Sequence, residues 1–390
     1  MTVSRRDAPT VLAAHSGAGL FTSDRMLLES VRGLREVGCR VVVALPSTGP
    51  LVVELERAGA EIEIITMLVT GKHLLRPRRW PATARRALLG LRSIRRLIRR
   101  IRPEVIYVST TAIPQWPLLA RHQGIRSISH IHEVAGSGNR WLDRLLYLPH
   151  LASQRTLVSS RASLETMRRA LPALARRSEI VRNGIASPPH PAPPREPLEP
   201  PLRILHMGRL SPRKGPDLAL EAASLIQQEG KRVQLTMLGT AEAGDEWFED
   251  QLRSQAAGSG VDVDFAGLQR DIWPHLARAD ILLAPSRFDE PFGNSAVEAV
   301  LALRPVIASD SSGLREAAGG YRTTRLVPAG DARAIADALV DVTDSWSSIV
   351  RSLRDSRNEA LRRHDPEGYR ATINRACGAE SRGSWESTPS

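Results

Sequence analysis

The chain has 390 residues, 42% of them apolar, and a formal net charge of +12. That length is enough for two domains with their own cores, and no apolar run reaches the roughly 20 residues that a membrane-spanning helix needs. Cys39 and Cys377 lie far apart, which argues against a disulfide framework, and Asp7 and Pro9 interrupt any signal-peptide core. The expected location is therefore cytoplasmic.

From the N-terminus, strands and helices alternate. Thr10–Ala14 reads as a strand and Ser23–Val37 as a helix. Further strands are predicted over Arg40–Leu45, Glu61–Ile65, Glu104–Val108, Arg126–His132 and Thr156–Ser159. Such alternation predicts a parallel sheet covered on both faces. Ser16-Gly17-Ala18-Gly19 follows the first strand, and Gly17 and Gly19 let backbone approach a ligand. A dinucleotide fingerprint would need a further glycine where Thr22 stands, so an oxidoreductase reading weakens. In His130-Ile131-His132-Glu133, alternation puts both histidines on one face. His132 is a candidate site residue. A metal held with Glu133 is possible but does not follow a helical zinc spacing.

Residues 76–102 carry eleven arginines and no acid. Leu88, Leu91, Ile94, Ile98 and Ile101 recur every three or four residues, and Arg85, Arg92, Arg95, Arg96, Arg99 and Arg100 flank them. This is a basic amphipathic helix. Its stripe can pack on the first sheet while Arg85, Arg92, Arg95, Arg96 and Arg99 face an anionic membrane surface. Few aromatics interleave with the arginines, which argues against nucleic acid.

A proline-rich segment over 187–201 reads as a linker. Strands then resume at Arg203–Met207, Val233–Leu238, Val261–Phe265, Ile281–Ala284, Val306–Ala308 and Arg325–Val327, with a helix over Pro216–Gln228. The expected fold is α/β: two doubly wound parallel-sheet domains facing across a cleft, with ligands at strand carboxyl ends. The expected boundaries are 1–186, 187–201, 202–355, a helix over 356–377 returning to the first domain, and a disordered tail over 378–390.

Gly208-Arg209-Leu210-Ser211-Pro212-Arg213-Lys214-Gly215 leads from the first strand of the second domain into a helix. Arg209 and Lys214 suit a pyrophosphate, although a solvated basic loop is the plainer reading. Asp289-Glu290-Pro291-Phe292-Gly293-Asn294 precedes a helix that Asn294 can cap, with Glu298 just over a turn in. The free N–H groups at that helix start suit a phosphate, while Glu290 could equally be an acid favoured by the helix dipole. Asp262-Val263-Asp264 has an acid-x-acid spacing, but it lies at a strand start and is read as structural.

Gly208-Arg209…Lys214-Gly215, Glu290-Pro291-Phe292-Gly293…Glu298-Ala299 and Pro305-Val306-Ile307-Ala308-Ser309, in this order, resemble glycosyltransferase family 4. The resemblance implies the GT-B fold and retaining sugar transfer from a nucleotide-sugar donor, with no metal or other cofactor. Arg209 and Lys214 would hold the diphosphate and Glu298 the ribose. Glu290 would contact the transferred sugar, with Phe292, Gly293 and Asn294 near the distal phosphate. The base would lie by Gly267, Leu268 and Gln269. His132 would serve near the donor sugar, and Gly17 and Gly19 near sugar and acceptor. Two departures bear on the donor pocket: Leu303 stands where the family usually has glycine, and Ser312-Gly313-Leu314-Arg315-Glu316 keeps one glycine of two.

The expected function is transfer to a lipid-linked glycan or another cell-envelope or exopolysaccharide precursor, at the inner face of the cell membrane. A non-catalytic sugar-nucleotide or glycan-binding subunit, a sugar-nucleotide epimerase and an anionic-polymer binder are the alternatives.

Overall fold

Parallel strands need crossovers, and in this chain helices supply nearly all of them. The computed structural model describes residues 9–70, 80–133, 140–242 and 244–379. Its first sheet comprises β1 Thr10–Ala14, β2 Arg40–Leu45, β3 Glu61–Ile64, β4 Val105–Val108, β5 Arg126–Ile131, β6 Arg155–Val158 and β7 Ser178–Ile180. Their order is β3-β2-β1-β4-β5-β6-β7. The three-residue β7 was too short to leave a sequence pattern. The helices of this part are α1 Thr22–Glu36, α2 Pro50–Arg57, α3 Trp80–Ile101, α4 Gln115–His122, α5 Arg140–Tyr147, α6 Arg161–Ala170 and α7 Pro172–Ala175.

The second sheet comprises β8 Leu202–Met207, β9 Val233–Leu238, β10 Asp262–Gly267, β11 Ile281–Ala284, β12 Val306–Ser309 and β13 Thr324–Val327, in the order β10-β9-β8-β11-β12-β13. Around it lie α8 Pro216–Gln228, α9 Glu246–Gly258, α10 Trp273–Arg278, α11 Asn294–Leu301, α12 Ser312–Ala318, α13 Ala332–Asp344 and α14 Trp346–Arg363; α15 Pro366–Cys377 follows. Both sheets are apolar on two faces, as parallel sheets are. Val11 and Ala13 enter one core while Leu12 and Ala14 enter another. Likewise, Ile281 and Leu283 separate from Leu282 and Ala284.

Contacts divide the chain into two units, residues 1–184 with 366–390, and Ile185–Asp365. The returning segment, expected from 356, begins at Pro366, because α14 packs on α11 in the second unit. On the first unit α15 packs against α1 so closely that a Cβ at Gly33 would lie 2.7 Å from the Arg370 Cβ. Arg370 binds Glu29 at 2.6 Å and Glu36 at 2.7 Å. The tail, expected to be disordered from 378, is ordered through Ala379, which is buried with its N–H on the Asn374 carbonyl. Residues 380–390 lie outside the described part.

The proline-rich segment, expected as a linker, lies as a strap on the second unit. Arg195 forms an ion pair with the buried Asp280 at 2.5 Å, and Trp346 Nε1 donates to the Arg195 carbonyl at 2.8 Å. Arg304, 1% exposed, donates to the carbonyls of Ala192 and Pro193 on the strap, Leu276 and Ala277 at the end of α10, and Leu303. Burial lowers the pKa of its guanidinium to about 10.

No apolar side chain can replace five carbonyl contacts, and stranded buried carbonyls are costly. Arg304→Met is therefore expected to destabilise the second unit by about 3 kcal/mol. Denaturant unfolding measures this, and an unchanged midpoint would contradict the strap's role.

Candidate functional site

In a doubly wound sheet, the crevice opens where strand order reverses. In the second unit that point lies between β8 and β11, and the loops after these two strands meet there. Gly215 lets them touch: a Cβ on it would lie 2.2 Å from the Pro285 carbonyl oxygen. Gly313 does the same from the start of α12, where a Cβ would lie 2.0 Å from the Glu290 carbonyl oxygen. This contact explains why one glycine persists in Ser312-Gly313.

Glu290 is 3% exposed at this junction. Its Oε1 accepts from Arg213 Nη1 and from Ser286 Oγ, both at 2.8 Å, and its Oε2 accepts from Lys214 Nζ at 2.9 Å. Burial opposes its charge, but Lys214, Arg213 and the Ser286 hydroxyl together hold its pKa below the usual value. Lys214 is pushed the other way. Burial lowers its pKa, helped by Arg213 and Arg209, against the pull of Glu290. The sequence reading missed Arg213 and Ser286. Nothing in the loop sequence distinguishes Arg213 from an ordinary solvated arginine.

Arg209 pairs with Glu242 at 2.6 Å, with both side chains partly exposed. Such a pair contributes about 0–1 kcal/mol. Gly293, with a positive φ of 132°, caps α11, and Asn294, expected as the cap, is its first residue. Phe292, Asn294 and Glu298 are all buried. Gly267 ends β10, Leu268 is exposed, and Gln269 Nε2 donates to the Ala266 carbonyl at 2.6 Å. Asp262 and Asp264 are both exposed on β10, and Asp262 accepts from Gln234 at 2.8 Å.

In the first unit the order reverses between β1 and β4. Loops after β1, β4 and β5 bring polar groups together there. His15 Nε2 lies 2.7 Å from Asp24 Oδ1, and its Nδ1 donates to the Ser109 carbonyl at 2.9 Å. Asp24 Oδ2 also accepts from the Phe21 N–H, which fixes the loop holding Gly17 and Gly19 to the start of α1. Sequence reading missed His15 and Asp24, since their pairing depends on how that loop turns. Glu133 accepts from Thr110 Oγ1 at 2.5 Å and from the Thr111 N–H at 3.1 Å. It is thus tied to the loop after β4. Among the described residues no group of His, Cys, Asp and Glu could hold a metal ion.

The rings of His130 and His132 are 4.0 Å apart, as one-face alternation implies. Both are buried, and burial lowers the His130 pKa to about 3. Burial, with His130 and His15 nearby, also holds His132 well below its usual value. Neither His132 ring nitrogen has a partner among the described residues.

The stripe on α3 is only partly inward. Ile94, Leu97 and Ile98 are buried, whereas Leu88 is 62% exposed. Arg85, Arg92, Arg95, Arg96 and Arg99 are all exposed. No described helix is long and apolar enough to cross a membrane.

A profile described as Glycosyl transferases group 1 matches residues 201–345, and one described as Glycosyltransferase Family 4 matches residues 23–187. The phosphatidyl-myo-inositol mannosyltransferase of Mycobacterium leprae is 37% identical over 166 residues, 42% of this chain and 42% of that protein. The amylovoran biosynthesis glycosyltransferase AmsK of Erwinia amylovora is 31% identical over 185 residues, 45% of this chain and 44% of that one. The chain thus spans less than half the length of these two relatives. Among solved structures, Anabaena Alr3699/HepE in complex with UDP and glucose aligns with a TM-score of 0.78. That alignment covers 95% of this chain and 99% of the other at 18% identity, a likeness of fold.

Because the pKa of Glu290 is lowered by folding, its contribution to stability is complete above the unfolded value, near 4.5, and disappears as pH falls through the folded value. Urea unfolding between about pH 6 and about pH 3 is expected to show this loss in the wild type and a shallower one in Glu290→Gln. Equal slopes would mean that Glu290 is not held as a carboxylate.

Proposed function

The chain belongs to glycosyltransferase family 4 and has the GT-B fold, and from that premise we propose that it transfers a sugar from a nucleotide-sugar donor to a hydroxyl acceptor with retention of configuration. One observation carries this reading: a buried carboxylate and three cationic side chains converge on the loops at the second unit's switch point. Cations there suit a diphosphate, and an ionised carboxylate beside them suits a sugar hydroxyl.

Lys214 and Arg209 take the diphosphate. Arg209 gives up its partly exposed pair with Glu242 to do so. As the nucleotide leaves, negative charge grows on the phosphate, and a cation held in place by the fold stabilises it without rearranging solvent. Glu298 accepts from ribose hydroxyls, and the N–H groups at Phe292, Gly293 and Asn294 face the distal phosphate. The base is assigned to the loop at Gly267, Leu268 and Gln269.

Glu290 is assigned to bind the sugar's hydroxyls, not to attack its anomeric carbon. A carboxylate with donors on both oxygens is a poor nucleophile, because attack would strip away the hydrogen bonds that keep it charged. Departure and attack then share one face of the sugar, and the leaving phosphate takes the acceptor's proton. No residue is required as a metal ligand.

His132 and the loop with Gly17 and Gly19 offer the first unit's ligand its contacts. The acceptor is assigned to the class of lipid-linked glycans and envelope or exopolysaccharide precursors. The named activities of the mannosyltransferase and AmsK support that class. The exposed arginines of α3 would hold the enzyme against an anionic membrane, peripherally and at the inner leaflet.

Calorimetric titration with UDP, GDP and ADP tests the donor site. One nucleotide is expected to bind, and Arg209→Ala/Lys214→Ala to weaken it about 100-fold, the equivalent of two charged hydrogen bonds. No binding by any of the three would refute the site. Near an anionic surface each arginine contributes about 1 kcal/mol. Arg92→Gln/Arg96→Gln should therefore lower partition onto phosphatidylglycerol vesicles about thirtyfold. Equal partition of the two proteins would remove α3 from the membrane.

A further inference from the structure

Beneath His132 lies a hydrogen-bonded chain that the transfer reaction does not use. Tyr107 on β4 meets His130 Nδ1 at 2.6 Å and Ser30 Oγ at 3.0 Å. Ser30 on α1 donates to the Met26 carbonyl, one turn back, at 2.8 Å. Tyr369, from the returning helix α15, meets Ser30 Oγ at 2.8 Å and the Met26 carbonyl at 3.1 Å. Ser30, Tyr107, His130 and Tyr369 are all buried away from bulk water.

Counting protons gives this chain a direction. The Met26 carbonyl can only accept, and it takes the Ser30 hydroxyl at the shorter 2.8 Å, with Tyr369 at 3.1 Å. The contact between Ser30 and Tyr107 then needs the Tyr107 proton. Once Tyr107 donates to Ser30, its oxygen can only accept from His130, and Nδ1 must carry a hydrogen. Ser30 keeps a second lone pair for Tyr369. This assignment supplies a proton to the Ser30–Met26, Ser30–Tyr107 and Tyr107–His130 contacts and leaves the single Tyr369 proton to be divided between Ser30 and Met26. The opposite tautomer spends the Tyr107 proton on His130. The Ser30–Tyr107 contact then needs the Ser30 proton, and only Tyr369 can serve Met26.

We propose that the chain Met26–Ser30–Tyr107 fixes His130 as its Nδ1–H tautomer, and that His130 in turn positions the His132 ring for the first unit's ligand. This rests on the glycosyltransfer reading for its functional half only. Nε2 of His130 is then a bare acceptor, buried and without a partner among the described residues. It lies in a ring whose centre is 4.0 Å from that of His132. A ring that flipped or changed tautomer would present a hydrogen there instead and alter the surface on which His132 rests. Tyr107 and Ser30 are thus positioning residues. Tyr369 gives its proton to the Met26 carbonyl or the Ser30 oxygen, and the direction of the chain needs neither.

Nitrogen-15 spectra of the full chain, labelled in histidine and assigned with His130→Phe, test the tautomer without any assay of activity. The expected pattern for His130 is a protonated Nδ1 and a bare Nε2; a protonated Nε2 overturns the proposal. Tyr107→Phe removes the acceptor and is expected to move His130 toward the other tautomer. It should also lower kcat about tenfold, one hydrogen bond's worth of positioning, with nucleotide affinity unchanged. A changed tautomer with unchanged kcat overturns the positioning role. Tyr369→Phe is expected to leave tautomer and kcat as they were, and a flip there overturns the assigned direction. A wild type with the expected tautomer but no transfer to any acceptor would count against glycosyltransfer while leaving the tautomer intact.

Discussion

A carboxylate buried at 3% exposure has to be paired, and the pairing of Glu290 organises the second unit around it. Its partners come from two loops far apart in sequence: Ser286 precedes it on its own loop, while Arg213 and Lys214 lie on the loop after β8. Neither loop can move alone without stranding a charge. Neighbouring side chains reinforce the same junction. Arg287 binds Asp217 through two bonds of 2.6 and 2.7 Å, and Asp289 accepts from both the N–H and the hydroxyl of Ser312. The site is therefore built before a ligand arrives, which lowers the cost of binding.

Much of this architecture could be read in the sequence, because burial on both faces leaves continuous apolar runs such as Ile281–Ala284. Glycines and prolines marked the loops between them. What stayed hidden depends on tertiary contact. Proline richness marked 187–201 as a linker but not what holds it: Arg304, Asp280 and Trp346, all distant in sequence. Leu88 fitted the helical period but is exposed. His15 and Asp24 gave no signal, being nine residues apart and joined only when the glycine loop turns.

Leu303, expected to bear on the donor pocket, has a local explanation. It follows α11 with a φ of 60°, in the left-handed region. Its N–H donates to the Val300 carbonyl and that of Arg304 to the Ala299 carbonyl, the paired bonds that close a helix C-terminus. Glycine is favoured at such a position, and a leucine there costs about 1–2 kcal/mol of backbone strain. Burial of its side chain in the core beside α8 and α13 offsets that cost. The departure thus belongs to the cap of α11, at the opposite end of the helix from Gly293, and gives no reason to read the chain as non-catalytic.

The two switch points differ in their chemistry. In the second unit the polar groups are fully charged, and cations outnumber the carboxylate they surround. In the first unit burial lowers the pKa of the histidines at the end of β5 and the Tyr107 hydroxyl meets His130, while the carboxylates of Asp24 and Glu133 are taken up by His15, Thr110 and Thr111. Charge placed in a low-dielectric crevice is costly unless it meets opposite charge, so the first arrangement is complementary to phosphate. Neutral donors and acceptors cost little to bury when paired, and they discriminate by hydrogen-bond geometry. That suits hydroxyls, which carry no charge to attract. Under the proposed glycosyl transfer, the second unit's charged junction would grip the diphosphate and the first unit's switch point would orient the alcohol.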